Sequence, residues 1–128
     1  MRSYTDFQLN ALEGYELSPN EIVVLSSIET TPTASEIALQ SDVSKALVSR
    51  SVKLLKEKNY ITATVSEEDK REQQLALTDD GREVAALIDE ANRRYFATAF
   101  ANFEQTEKAA LKALLDMMMS NLNVDFRV

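Results

Sequence analysis

The segment from about Ser44 to Lys58 limits the fold of this chain more than any other stretch. Lys45, Ser49, Lys53 and Lys56 follow one another at spacings of four, four and three. An α-helix places such residues on one face. Leu47, Val48, Val52 and Leu55 then fall on the other. A helix of this kind buries its back and leaves a cationic front in water. At Tyr60 the period changes to two. Tyr60-Ile61-Thr62-Ala63-Thr64-Val65 and Gln73-Gln74-Leu75-Ala76-Leu77-Thr78 are β-type runs, and the charged stretch from Ser66 to Glu72 separates them. They predict an antiparallel hairpin with a polar tip, with Leu75 and Leu77 on one face.

Upstream, Ser18-Pro19-Asn20-Glu21 carries a cap, a proline for the first helical position and a capping-box acid. It predicts a helix with Ile22, Val24, Leu25 and Ile28 inward, stopping near Glu29 before Thr31-Pro32. Thr33-Ala34-Ser35-Glu36 is a second capping box. It starts a helix of about two turns with Ile37, Ala38 and Leu39 inward. Ser41-Asp42-Val43 is a tight connection with Val43 buried, and Ser44 caps the cationic helix. A short helix, a turn, a helix with a basic front and then a hairpin is the order of a winged helix-turn-helix.

The ends of the chain add helices. Residues 2–14 predict one with Tyr4, Phe7, Ala11 and Leu12 as its stripe and Gly14 at its end. Thr78 caps a long helix whose stripe is Val84, Leu87, Ile88, Ala91 and Tyr95, with Phe96, Phe100 and Phe103 as a second strip. Thr106-Glu107 starts a last helix, running to about Leu122, that is apolar around much of its circumference. Either these helices complete a six-helix core or they meet a second copy of the chain. The amount of apolar surface favours a homodimer.

With 128 residues the chain is read as one domain. Residues 18–80 form its winged helix, and residues 2–14 and 81–122 its dimerisation helices. The fold class is mainly α. No cysteine and no histidine is present. Disulfides, thiolate metal sites and the commonest general base are therefore excluded, and no cofactor or metal is expected. No apolar run approaches the roughly 20 residues that cross a bilayer. The first six residues lack an apolar export core, so a cytoplasmic protein is expected. The clustered carboxylates Glu67, Glu68 and Asp69 sit on the hairpin tip, with no nucleophile motif or glycine-rich loop beside them, so the chain does not read as an enzyme. The net charge of −7 is unevenly spread: residues 43–71 hold seven bases and four acids, the remainder seven bases and seventeen acids. The basic stretch is either a solvated helix face or the footprint of a polyanion.

Three stretches, in this order and spacing, resemble the MarR family of bacterial winged-helix transcription regulators. They are Leu17-Ser18-Pro19-Asn20-Glu21 with Val24-Leu25; Val43 to Arg50 leading to Leu54-Leu55-Lys56-Glu57-Lys58-Asn59-Tyr60-Ile61; and Asp69-Lys70-Arg71 followed by Leu75-Ala76-Leu77-Thr78-Asp79-Asp80-Gly81. The resemblance spans about Leu17 to Leu122. It implies a homodimer with interlocked terminal helices and recognition helices in successive major grooves of a pseudo-palindromic duplex operator. It implies that Ser44 and the amides behind it meet a phosphate, that Lys45, Ala46, Ser49 and Arg50 face base edges, and that Lys53 and Lys56 hold phosphates. Arg71 would enter the minor groove, with Lys70 beside it and Asp69 steadying it. A small-molecule effector is implied, with Tyr4, Phe7, Tyr15 and Tyr95 as candidate lining, though core packing explains the same aromatics. The function implied is a repressor responsive to a small-molecule signal. Asn59 replaces a usual glycine, and Thr62, Thr64, Glu67, Glu68 and Glu72 make this wing less basic than the pattern. That acidity supports an alternative, a winged-helix protein-interaction module without DNA binding.

Overall fold

The computed structural model describes residues 3–65 and 71–125. Its elements run α1 (Tyr4–Ala11), α2 (Pro19–Ser27), α3 (Ala34–Ser41), α4 (Lys45–Glu57), β1 (Ile61–Val65), β2 (Gln73–Leu77), α5 (Asp79–Ala99) and α6 (Gln105–Asp125). The chain divides into two compact units, Met1–Tyr95 and Phe96–Val128, with the boundary inside α5.

Helix starts follow the caps in the sequence. The Ser18 hydroxyl accepts the Glu21 N–H while the Glu21 carboxylate accepts the Ser18 N–H, and Pro19 occupies the first turn. Thr33 accepts the Glu36 N–H, and Ser44 accepts the Leu47 N–H at 3.2 Å. Thr78 starts α5 by accepting the Gly81 N–H at 3.0 Å. At the front of the chain, Ser3 and Asp6 form a capping box not foreseen from the sequence. Helix α1 is shorter than residues 2–14. Past Ala11 the bonds tighten, Glu13 N–H to the Asn10 carbonyl and Tyr15 N–H to the Leu12 carbonyl, as Leu12 turns into the core. Gly14 then takes φ +95, a left-handed backbone natural to glycine.

The hairpin pairs antiparallel, with Ile61 opposite Leu77, Ala63 opposite Leu75 and Val65 opposite Gln73. Ile61, Leu75 and Leu77 turn the same side inward. The winged unit's core joins them to Ile22, Leu25, Ile28, Ile37, Val48, Leu55, Val84 and Ile88. The Leu75 N–H reaches past the hairpin to the Pro32 carbonyl at 2.7 Å, fastening β2 to the α2–α3 connection. Asn59 has φ 65, as expected for a glycine substitute, and Asp42 has φ 58 at the end of α3. That left-handed aspartate is what makes the turn tight.

Two inward assignments fail. Leu39 is 83% exposed, because it lies two residues, and so about 200° of helix, beyond the buried Ile37. Leu47 is 39% exposed; the buried stripe of α4 is instead Val48, Ser51, Val52 and Leu55. Ser51 is tolerated there because its hydroxyl donates to the Leu47 carbonyl at 2.9 Å. Val43 is half-buried against the core, as the turn demands.

In the second unit, Phe96 stacks on Phe100 at 6.3 Å, and Phe103 meets Phe100 edge-on at 5.3 Å. Helix α6 leaves Leu114, Met117, Met118, Met119 and Leu122 more than half exposed. Among the described residues no helix is long and apolar enough to cross a membrane.

Candidate nucleic-acid interface

The front of α4 is laid out as its spacing dictates. Lys45, Ser49, Lys53 and Lys56 line one side of a cleft of about 320 Å³, and Val65, Arg71, Glu72, Gln73 and Leu75 line the other. Ala34, Ser35 and Val52 form the rest of its lining. One wall is thus α4 and the facing wall the wing. Ala46 and Arg50 are exposed on α4 outside this lining, one residue round from Lys45 and Ser49. Ser44 is exposed at the N-cap, its oxygen held by the Leu47 N–H. A hydroxyl that accepts one bond keeps its own proton to donate.

The cleft gathers four cations, Lys45, Lys53, Lys56 and Arg71, against one acid. That acid is Glu72, placed at the hairpin tip by the sequence reading. It is half-buried beside Gln73, at the tip end of β2, and accepts a hydrogen bond from the Ser35 hydroxyl. The bond ties the start of α3 to the wing and fixes the position of the one carboxylate in the cleft lining. Asp69 and Lys70, with Glu67 and Glu68, lie outside the described residues.

Lys58 is redirected. Its ammonium donates to Glu21 Oε2 at 2.7 Å and to the Glu16 carbonyl, turned away from the α4 front. The sequence gives no local signal for this, since the partners are far apart in the chain.

Of the candidate effector residues, three come together. Tyr95 receives Tyr4 edge-on at 5.2 Å and Phe7 edge-on at 5.4 Å. Asn92 accepts from the buried Gln8 amide at 3.1 Å and hydrogen-bonds the Tyr4 phenol. Burial, then the charge of Asp89, raises the Tyr4 hydroxyl above its ordinary pKa, against the pull of that Asn92 bond. Tyr15 packs on the core of the winged unit.

A helix-turn-helix whose second helix presents cations beside an antiparallel wing defines a DNA-binding winged-helix protein. The family model of the MarR family matches residues 9–72, and the chain belongs to that family of transcription regulators, which are not enzymes. Solved structures agree in fold. A MarR family regulator from Listeria monocytogenes in complex with a 26mer DNA superposes with a TM-score of 0.84 at 19% identity, over 95% of this chain and 83% of that one. The MarR protein of Peptoclostridium difficile gives a TM-score of 0.79 at 26% identity, over 94% of this chain and 82% of that one. Bordetella bronchiseptica BpsR, whose DNA binding is regulated by 6-hydroxynicotinic acid, gives 0.68 at 17%, over 91% and 92%. No curated protein sequence matches the chain.

Proposed function

We propose that this regulator is a homodimeric repressor in the cytoplasm that reads a pseudo-palindromic duplex operator and releases it on binding a small molecule. The observation that carries the reading is the cleft between α4 and the wing, where Lys45, Lys53, Lys56 and Arg71 converge. A strip of cations lining an open cleft suits a polyanion. Ser44, Lys53 and Lys56 hold phosphates. Lys45, Ala46, Ser49 and Arg50 face base edges, with Arg50 offering a bidentate fork to guanine. Arg71, with Lys70 and Asp69 beside it in sequence, serves the adjacent minor groove.

Dimerisation is supported by the apolar surface of α6, and effector response by the regulated DNA binding of BpsR. The effector reading takes Tyr4, Phe7, Tyr15 and Tyr95 as candidate lining for a small aromatic or acidic molecule. Footprinting of the purified protein on its own upstream region, repeated over a salt series, tests the central reading. A protected two-fold site with a steep salt dependence is expected. Equal affinity for random duplex would end it.

A further inference from the structure

Lys58 counts among the bases of the α4 segment, yet the fold gives it different work. It is the C-cap residue of α4. Its partner Glu21 has a side chain only 4% exposed. Glu21 Oε2 takes the Lys58 ammonium at 2.7 Å, and Oε1 takes the Ser18 N–H at 3.1 Å. One buried carboxylate therefore holds the start of α2 and the end of α4 together. Lys58 also donates to the Glu16 carbonyl, so the α1–α2 connection is joined to the same point.

The apolar back of α4 does not by itself fix its rotation. Val48, Val52 and Leu55 are buried and pack α4 to the core, but apolar contacts carry no hydrogen-bond direction. A charge-assisted hydrogen bond at one end is directional, and separating it would leave a buried charge without its partner. A turn of about 20° about the axis would move the side chains of Arg50 and Lys53 by about 2 Å, enough to shift them against a groove.

We propose that Glu21 and Lys58 are positioning residues for DNA recognition: they set the rotation of α4, and neither touches DNA. The proposal rests on α4 being the DNA-contacting helix.

The test measures duplex affinity over a salt series for wild type, Lys58→Met, Lys58→Arg, Glu21→Gln and the double variant Glu21→Gln/Lys58→Met, with circular dichroism giving the folded fraction. Arg50→Ala and Lys53→Ala are the controls for the DNA face. Lys58→Met and Glu21→Gln should each weaken binding about three- to tenfold in folded protein, and the double variant should lose no more than about twofold beyond either, since partners in one pair are not additive. The salt slope should stay at the wild-type value, and Lys58→Arg should restore most of the affinity. Glu21→Gln is the sharpest arm. It removes a negative charge, which by simple attraction would tighten binding to a polyanion, whereas loss of positioning weakens it. If Lys58→Met lowers the slope by about 0.9, as loss of a phosphate contact does, Lys58 touches DNA and the proposal is overturned. Wild-type affinity in folded Lys58→Met and Glu21→Gln overturns it equally, leaving the pair a matter of stability only. Unchanged binding in Arg50→Ala and Lys53→Ala would instead remove the DNA-face reading on which it rests.

Discussion

A Cβ placed on Gly81 would lie 1.9 Å from the Tyr60 carbonyl oxygen, closer than atoms can approach. The same carbonyl accepts the Thr78 N–H at 3.0 Å, so the exit of α4 and the entry of α5 are in contact through backbone. Gly81→Ala should therefore lower stability by about 1–3 kcal/mol, the cost of forcing atoms into a filled space. Chemical denaturation checks this; an unchanged midpoint would mean that the segment yields freely. The glycine is plain in the sequence, but its reason is a contact with a residue 21 positions earlier. Lys58 is obscure for the same cause: its partner Glu21 is remote in the chain, and the sequence marks Lys58 only as one more base at the end of the helix. Leu39 and Leu47 fail differently, because hydropathy marks a residue as apolar without saying whether another element covers it. Tyr4 offers a test by titration. Its pKa lies above the ordinary 10.0 through burial and the charge of Asp89. A folded state that holds the proton more tightly has this contribution to stability in full below the unfolded pKa, and loses it as pH rises through the folded one. Phenolate absorbance should show a step above the ordinary tyrosine pKa, and Tyr4→Phe should abolish it.

Most of the elements could be read from the sequence because their caps are local. Ser18, Thr33, Ser44 and Thr78 each accept the N–H three residues on, and each opens the helix assigned to it. The wing was readable as a hairpin through its alternation, and its register places Leu75 and Leu77 on the core side as expected. Its docking was not readable. The bonds from Leu75 to Pro32 and from Ser35 to Glu72 cross between elements, and neither leaves a mark on local composition. Of the candidate site, the spacing on α4 was enough to predict the cationic strip. The facing wall, with Gln73 and Val65, needed the fold. Thr62 and Thr64 are exposed on β1, where the family pattern often has arginine. If the strand lies along the DNA backbone, Thr64→Arg should add a phosphate contact. Affinity should then rise for specific and random duplex alike, and the salt slope should steepen by about 0.9. A gain confined to one sequence would instead put this position against base edges.

At the scale of the whole molecule, α6 poses the main question of stability. It is a 21-residue helix, and none of its described side chains is buried. Isolated helices are marginal in water, and most helical stability in proteins comes from packing an apolar face. Leu114, Met117, Met118 and Met119 are each about 60% exposed, a surface that a lone chain leaves in water. The proposed occupant is a second copy of the chain, which would bring a second α4 at fixed spacing to a two-fold operator. Sedimentation at micromolar concentration should give a dimer for wild type. Leu115→Asp and Met118→Asp should shift it toward monomer by placing charge in the apolar contact. Their affinity for a two-half-site duplex should fall by about 10²–10⁴-fold, the gain that linkage of two sites supplies, while affinity for a single half-site changes little. That contrast separates loss of pairing from damage to the winged unit. A wild-type monomer that binds the full operator, or a dimeric Met118→Asp, would mean that another surface joins the two reading heads.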